Sequence, residues 1–98
     1  MPVLKVPEEI SKALGSYLRG ERELVVKVLN MVRDQLENHY DEHRERRDPE
    51  DPNLFDYYIR AIDSDYNSHT LRFSVDDSLA AGYLLIAAVS DRFRKFLN

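Results

Sequence analysis

Residues 21–47 run for 27 positions without a glycine or a proline, and Val25, Leu29, Val32, Leu36, Tyr40 and His43 recur through them at steps of four and three. That is the period of one helical face, so the spacing predicts a single long α-helix. The first half also carries Leu24, Val26, Val28 and Met31 off the stripe, and reads as apolar nearly all round and buried. The second half is charged except along the stripe, and reads as projecting outward or lying against a partner. Pro49 and Pro52 in the run DPEDP stop the helix, because each disfavours a helical conformation at the residue before it.

The other elements are read around this helix. Pro7, Glu8 and Glu9 open a short amphipathic helix whose apolar residues Ile10, Leu14 and Leu18 are four apart, with Gly20 as its C-terminal signal. Phe55, Tyr57, Ile59 and Ala61 alternate as a strand does, and the turn-like run SDYNSH precedes TLRFSV. Aromatic and β-branched enrichment on both sides of that run predicts a β-hairpin. An all-α chain with residues 53–63 helical is the alternative. Asp76, Asp77 and Ser78 supply capping oxygens ahead of the apolar run LAAGYLLIAAV, and Arg92, Arg94 and Lys95 suit the last turns of a helix. A C-terminal helix at the centre of the core is expected from them. The fold class is therefore α+β: short helix, long helix, β-hairpin, C-terminal helix, in one domain of 98 residues.

Composition excludes more than it selects. The formal charge of −4 argues against a protein that coats nucleic acid with its whole surface, though local basic patches stay open. With no cysteine there is no disulfide, thiolate metal site or cysteine nucleophile. The N-terminal MPVLKVPEEI lacks the charged and apolar regions of a signal peptide, and the longest apolar run is too short for a membrane helix, so a cytoplasmic protein with no membrane partner is expected. One glutamine, no tryptophan and ten arginines against four lysines hint at a heat-adapted source.

His39 and His43 draw the eye in NHYDEHRERR. HYDEH resembles the H-x-x-E-H pattern of the inverted zinc peptidases, which implies zinc on two histidines one turn apart and glutamate as general base. Arg33 and His39, with five residues between, resemble the motif of the HEPN ribonucleases, which implies a helical dimer acting on RNA through an arginine and a histidine. That likeness covers seven residues, and the expected hairpin departs from an all-helical family. On the helical wheel both histidines continue the apolar stripe, which is the place of packed or interfacial residues. Imidazoles there would make association sensitive to pH. Scattered glycines form no phosphate loop, so no cofactor is expected.

The basic clusters are RERR, with Arg44, Arg46 and Arg47, and DRFRKF, with Arg92, Arg94 and Lys95. Phenylalanines interleave the second in the manner of a stacking site for single strands. A helix pair before a hairpin also suggests a winged DNA reader, to which a 27-residue second helix is an awkward fit. The leading expectation is a non-enzymatic interaction or assembly subunit that pairs with itself, and with another protein, through Leu29, Val32, Leu36, His39, Tyr40 and His43. A small nucleic-acid-binding regulator using Arg44, Arg46, Arg47, Arg92, Arg94 and Lys95 comes second. An enzyme centred on His39, whether a HEPN-like RNase or metal-dependent, comes third.

Overall fold

The computed structural model describes residues 2–80 and 82–94. The chain forms β1 (Val3–Lys5), α1 (Glu8–Tyr17), α2 (Arg22–Asn38), a single turn α3 (Tyr40–His43), then β2 (Leu54–Ile62), β3 (Ser68–Asp76) and β4 (Tyr83–Arg94). The sheet order is β1-β4-β3-β2, antiparallel except where β1 runs beside β4. This is an α+β fold with the helices against one face of the sheet, as the hairpin and the two N-terminal helices predict. The hairpin excludes the all-α alternative, since residues 54–62 pair throughout with β3.

The core lies between helices and sheet. Leu4, Ile10, Leu14, Leu18, Val28, Val32 and Leu36 pack on Phe55, Tyr57, Ile59, Leu71, Phe73, Val75, Leu84 and Ile86. α1 ends as its spacing suggests, but the left-handed C′ residue is Arg19 at φ 60, with Gly20 at φ 76 following it. The Gly20 amide reaches the Gly15 carbonyl at 2.8 Å and the Arg19 amide the Ser16 carbonyl at 3.2 Å, the bond pattern of a Schellman motif.

The long helix is shorter than its periodicity predicts. It stops at Asn38, and His39, at φ −129 and ψ 31, separates it from α3. Asn and His are weak helix formers, and tertiary bonds reward a change of direction here. The Tyr40 hydroxyl donates to Asp77 Oδ2 at 2.6 Å, its ring lies 5.9 Å from Phe55, and the His43 ring meets Tyr57 edge-on at 4.9 Å. The N-terminal half of α2 is not wrapped on all sides either, for Val26 is 56% exposed and Met31 44%.

The larger correction is at the C-terminal end, where a helix was expected and β4 stands. Asp76 does not cap a helix: its Oδ1 accepts the Ser78 amide at 2.8 Å and the Ser78 hydroxyl at 2.6 Å, which makes a turn. Asp77 accepts two bonds from the Arg47 guanidinium, at 2.7 Å each. Gly82, at φ 89, then turns the chain into the sheet. A run of six apolar residues, 84–89, suits a buried strand as well as a helix, and pairing with β3 on one side and β1 on the other decides between them.

β4 also carries a bulge. Val75 pairs with Ile86 but Ser74 pairs with Ala88, so Ala87 is an extra residue in the strand. The bulge inverts the alternation beyond it. Leu84 and Ile86 face the core before it, and Val89, Asp91 and Phe93 after it; Ser90, Arg92 and Arg94 therefore point away from the helices.

Candidate functional site

The face of the sheet away from the helices is open, and its composition changes along the hairpin. Near the hairpin tip three cross-strand rows stand side by side: Ile62, Ser68 and Arg94; Arg60, Thr70 and Arg92; Tyr58, Arg72 and Ser90. These nine positions hold four arginines and no acidic residue. Neighbouring strands are about 4.8 Å apart and alternate residues about 7 Å apart along a strand, so the guanidinium groups share one small patch. Even with Arg72 paired to Asp56, three positive charges gathered on one patch in a chain of −4 are a segregated charge, not an averaged surface.

The four are not held alike. Arg72 donates to Asp56 at 2.9 Å and lies 3.9 Å from Asp48, which keeps it against the sheet. Arg60, Arg92 and Arg94 are exposed and make no ion pair with any of the described residues. Tyr58 is 46% exposed among them. A trough of about 330 Å³ lies between Tyr58, Thr70, Arg72, Ser90, Arg92 and Asp91, whose carboxylate is bound to His69, and a second of about 430 Å³ is lined by Arg60, Ser68, Thr70, Arg92 and Arg94. Besides Asp91, which is turned to His69, these troughs present guanidinium donors, hydroxyls and one aromatic face.

Behind the patch, on the core side, is a buried ionic cluster that the sequence reading missed. His69 is wholly buried, with Nε2 at 2.8 Å from Asp63 Oδ2 and Nδ1 at 2.8 Å from Asp91 Oδ2. An ionised carboxylate only accepts, so an imidazolium donating from both nitrogens satisfies both contacts. Burial disfavours charge on the ring, but the bonds from Asp63 and Asp91 outweigh it and His69 is raised above the ordinary histidine value. Burial likewise opposes ionisation of Asp63, and is overcome by His69, by the Asn67 amide and side chain and by the Asp65 amide, so its carboxyl is held far below the usual range. Those amide bonds, 2.9 Å from Asp65 and 3.0 Å from Asn67, fold the hairpin tip. Phe93, its ring 5.1 Å from that of His69, closes the cluster. Sealed this way, the imidazole is a structural clamp between the tip and β4, out of reach of any substrate.

The residues singled out from sequence are scattered. Val32 and Leu36 are wholly buried in the chain's own core, Leu29 and Tyr40 pack against it, and His43 lies on Tyr57. The stripe that suggested an interface thus covers the chain's own sheet, and only His39 of the six is exposed. His43 is lowered from the ordinary value, chiefly by burial, and its Nε2 is 3.3 Å from Gln35 Oε1. Because the helix breaks at His39, HYDEH does not sit on one continuous helix, and among the described residues no group of three potential ligands could hold a metal ion. Arg33 serves the fold: it donates to the Leu4 carbonyl at 2.9 Å while Glu37 accepts the Leu4 amide at 2.7 Å, together tying β1 to α2.

The two basic clusters part company. Arg47 is committed to Asp77, and Arg44 lies 3.6 Å from Asp41. Arg47 bridges to Phe55, while Arg92 stands in the row of Arg60, about 17 Å further along β2 at about 3.3 Å per residue. Lys95 lies outside the described residues. Arg60, Arg72 and Tyr58 were missed, yet a signal was there: with Phe55, Tyr57, Ile59 and Ala61 inward, Tyr58 and Arg60 must face outward, and Arg92, Phe93, Arg94 alternate in the same way. No helix among the described residues is long and apolar enough to cross a membrane. Comparison with protein families, with curated proteins and with solved structures finds no match to this chain.

Proposed function

We propose that the chain is a non-enzymatic interaction subunit whose binding surface is the open arginine face and whose partner is anionic. One observation carries this reading: four arginines in nine adjoining positions, three of them without an ion pair among the described residues, in a chain of net charge −4. A fold that needed those guanidinium groups for itself would pair them, as it pairs Arg47 and Arg33. The enzyme reading has less support, because His69, with its two carboxylate partners, is sealed in the core, and among the described residues the ion-pair partner of His39 is Glu42, at 3.6 Å.

The test is retention on heparin together with amide shifts on adding heparin fragments. Binding weakened steeply by salt, with shifts confined to residues 58–62, 68–72 and 90–94, is the expected result. No retention at low salt, or shifts centred on α1 and α2, would overturn the reading.

A further inference from the structure

We infer that the arginine face takes single-stranded nucleic acid, an assignment that rests on the anionic-partner reading above and narrows it. Two features of the face separate this ligand from other anions. Tyr58 offers an exposed ring in the same row as Arg72 and two residues from Arg60 on its own strand. Single-strand readers lay unstacked bases on aromatic rings and on guanidinium planes while basic side chains track the backbone. Ser68, Thr70 and Ser90 stand between the arginines, where hydroxyls can bond to phosphate, sugar or base edges.

The form of the face argues against a duplex. Sequence reading in duplex DNA needs a helix or ribbon that enters a groove, and among the described residues the helices all lie on the opposite side of the sheet. An acidic protein fits less well than a strand. The buried centre of a protein interface is depleted in charge, whereas four of the nine central positions here are arginine and only Tyr58 and Ile62 are large and apolar.

The experiment measures anisotropy of a labelled mixed-sequence single strand, as RNA and as DNA, against the same sequence as duplex, with heparin and polyglutamate as competitors. Three to four neutralised phosphates give a slope near −0.7 per phosphate for single strands, so raising salt from 50 to 200 mM should weaken binding about 20- to 50-fold. Arg60→Ala with Arg92→Ala should nearly abolish binding to every polyanion. Tyr58→Ala should lower single-strand affinity roughly tenfold while leaving heparin binding unchanged, and Tyr58→Phe should restore it. Denaturant midpoints for each variant establish that the fold is intact.

Two results would count against the inference, and they differ. If heparin or polyglutamate binds with dependence on Arg60 and Arg92, but the single strand binds no better than duplex and ignores Tyr58→Ala, the nucleic-acid assignment fails and the anionic face stands. If no polyanion binds at low salt, both fail together.

Discussion

Replacing His69 by leucine, a side chain of similar volume, removes the cation from between two buried carboxylates. Asp63 and Asp91 are then left facing an apolar group, at sites where their side chains are 0% and 6% exposed. Removing one member of a buried ion pair costs about 3–5 kcal/mol, because the charge left behind is uncompensated. For a domain of this size about 3 kcal/mol lowers Tm on the order of 15 °C, and it is a large part of a total stability of roughly 5–15 kcal/mol. The loss should depend on pH in a defined direction. His69 is raised, so its contribution is complete below the ordinary histidine pKa of 6.5 and fades as pH rises through the folded value. Asp63 is depressed, so its contribution is complete above 3.8 and fades as pH falls towards its folded value. The gap between wild type and His69→Leu should therefore be widest from about pH 4.5 to 6.5 and narrow on the alkaline side. Urea unfolding followed by far-ultraviolet circular dichroism from pH 4 to 9, with unchanged m, measures it. A gap below about 1 kcal/mol, or one that is flat with pH, would refute the ionic clamp.

Further outcomes follow from the same geometry. Titration of the imidazole resonances by NMR should place His69 above 6.5 and His43 below it, and the reverse order would contradict their surroundings. Asp91→Asn should destabilise less than His69→Leu in thermal melts, because the amide oxygen can still accept from Nδ1 and its NH2 replaces an Oδ1 that has no partner among the described residues. Leu36→Ala should cost about 2–5 kcal/mol in urea unfolding while Val26→Ala stays within about 0.5 kcal/mol, since one is sealed in the core and the other is a surface residue. Deleting Ala87 should leave urea unfolding cooperative, because it removes only the extra residue between Ile86 and Ala88 and keeps Asp91 inward and Arg92 and Arg94 outward, and loss of cooperativity would contradict this register.

How much of this was legible varies by element. α1, the body of α2 and the hairpin follow from local rules: apolar spacing of four, alternation of two, and turn residues between 63 and 67. The buried set Ile10, Leu14, Val32, Leu36, Phe55, Tyr57 and Ile59 could be read from those periods and is found in the core. The termination at Asn38 could not, because the stripe continues through Tyr40 and His43 and only their contacts with Phe55, Tyr57 and Asp77 bend the chain. On sequence alone the apolar stripe running on from α2 points to an interface, because sequence shows that a face is apolar without showing what covers it.

By itself, then, the sequence determined the α+β class, the faces of two helices and a hairpin, the lack of thiol chemistry and the presence of arginine in RFR. Only the tertiary structure decided that residues 83–94 form a strand and not a helix, since a short apolar run suits both and the neighbours β1 and β3 select one. It decided, too, which way that strand's side chains point. One extra residue at Ala87 inverts the alternation, sending Asp91 inward to His69 and Arg92 and Arg94 outward to join Arg60 and Arg72. Charge count and composition are properties of the chain, but a patch is a property of register, and register is fixed by which strands pair.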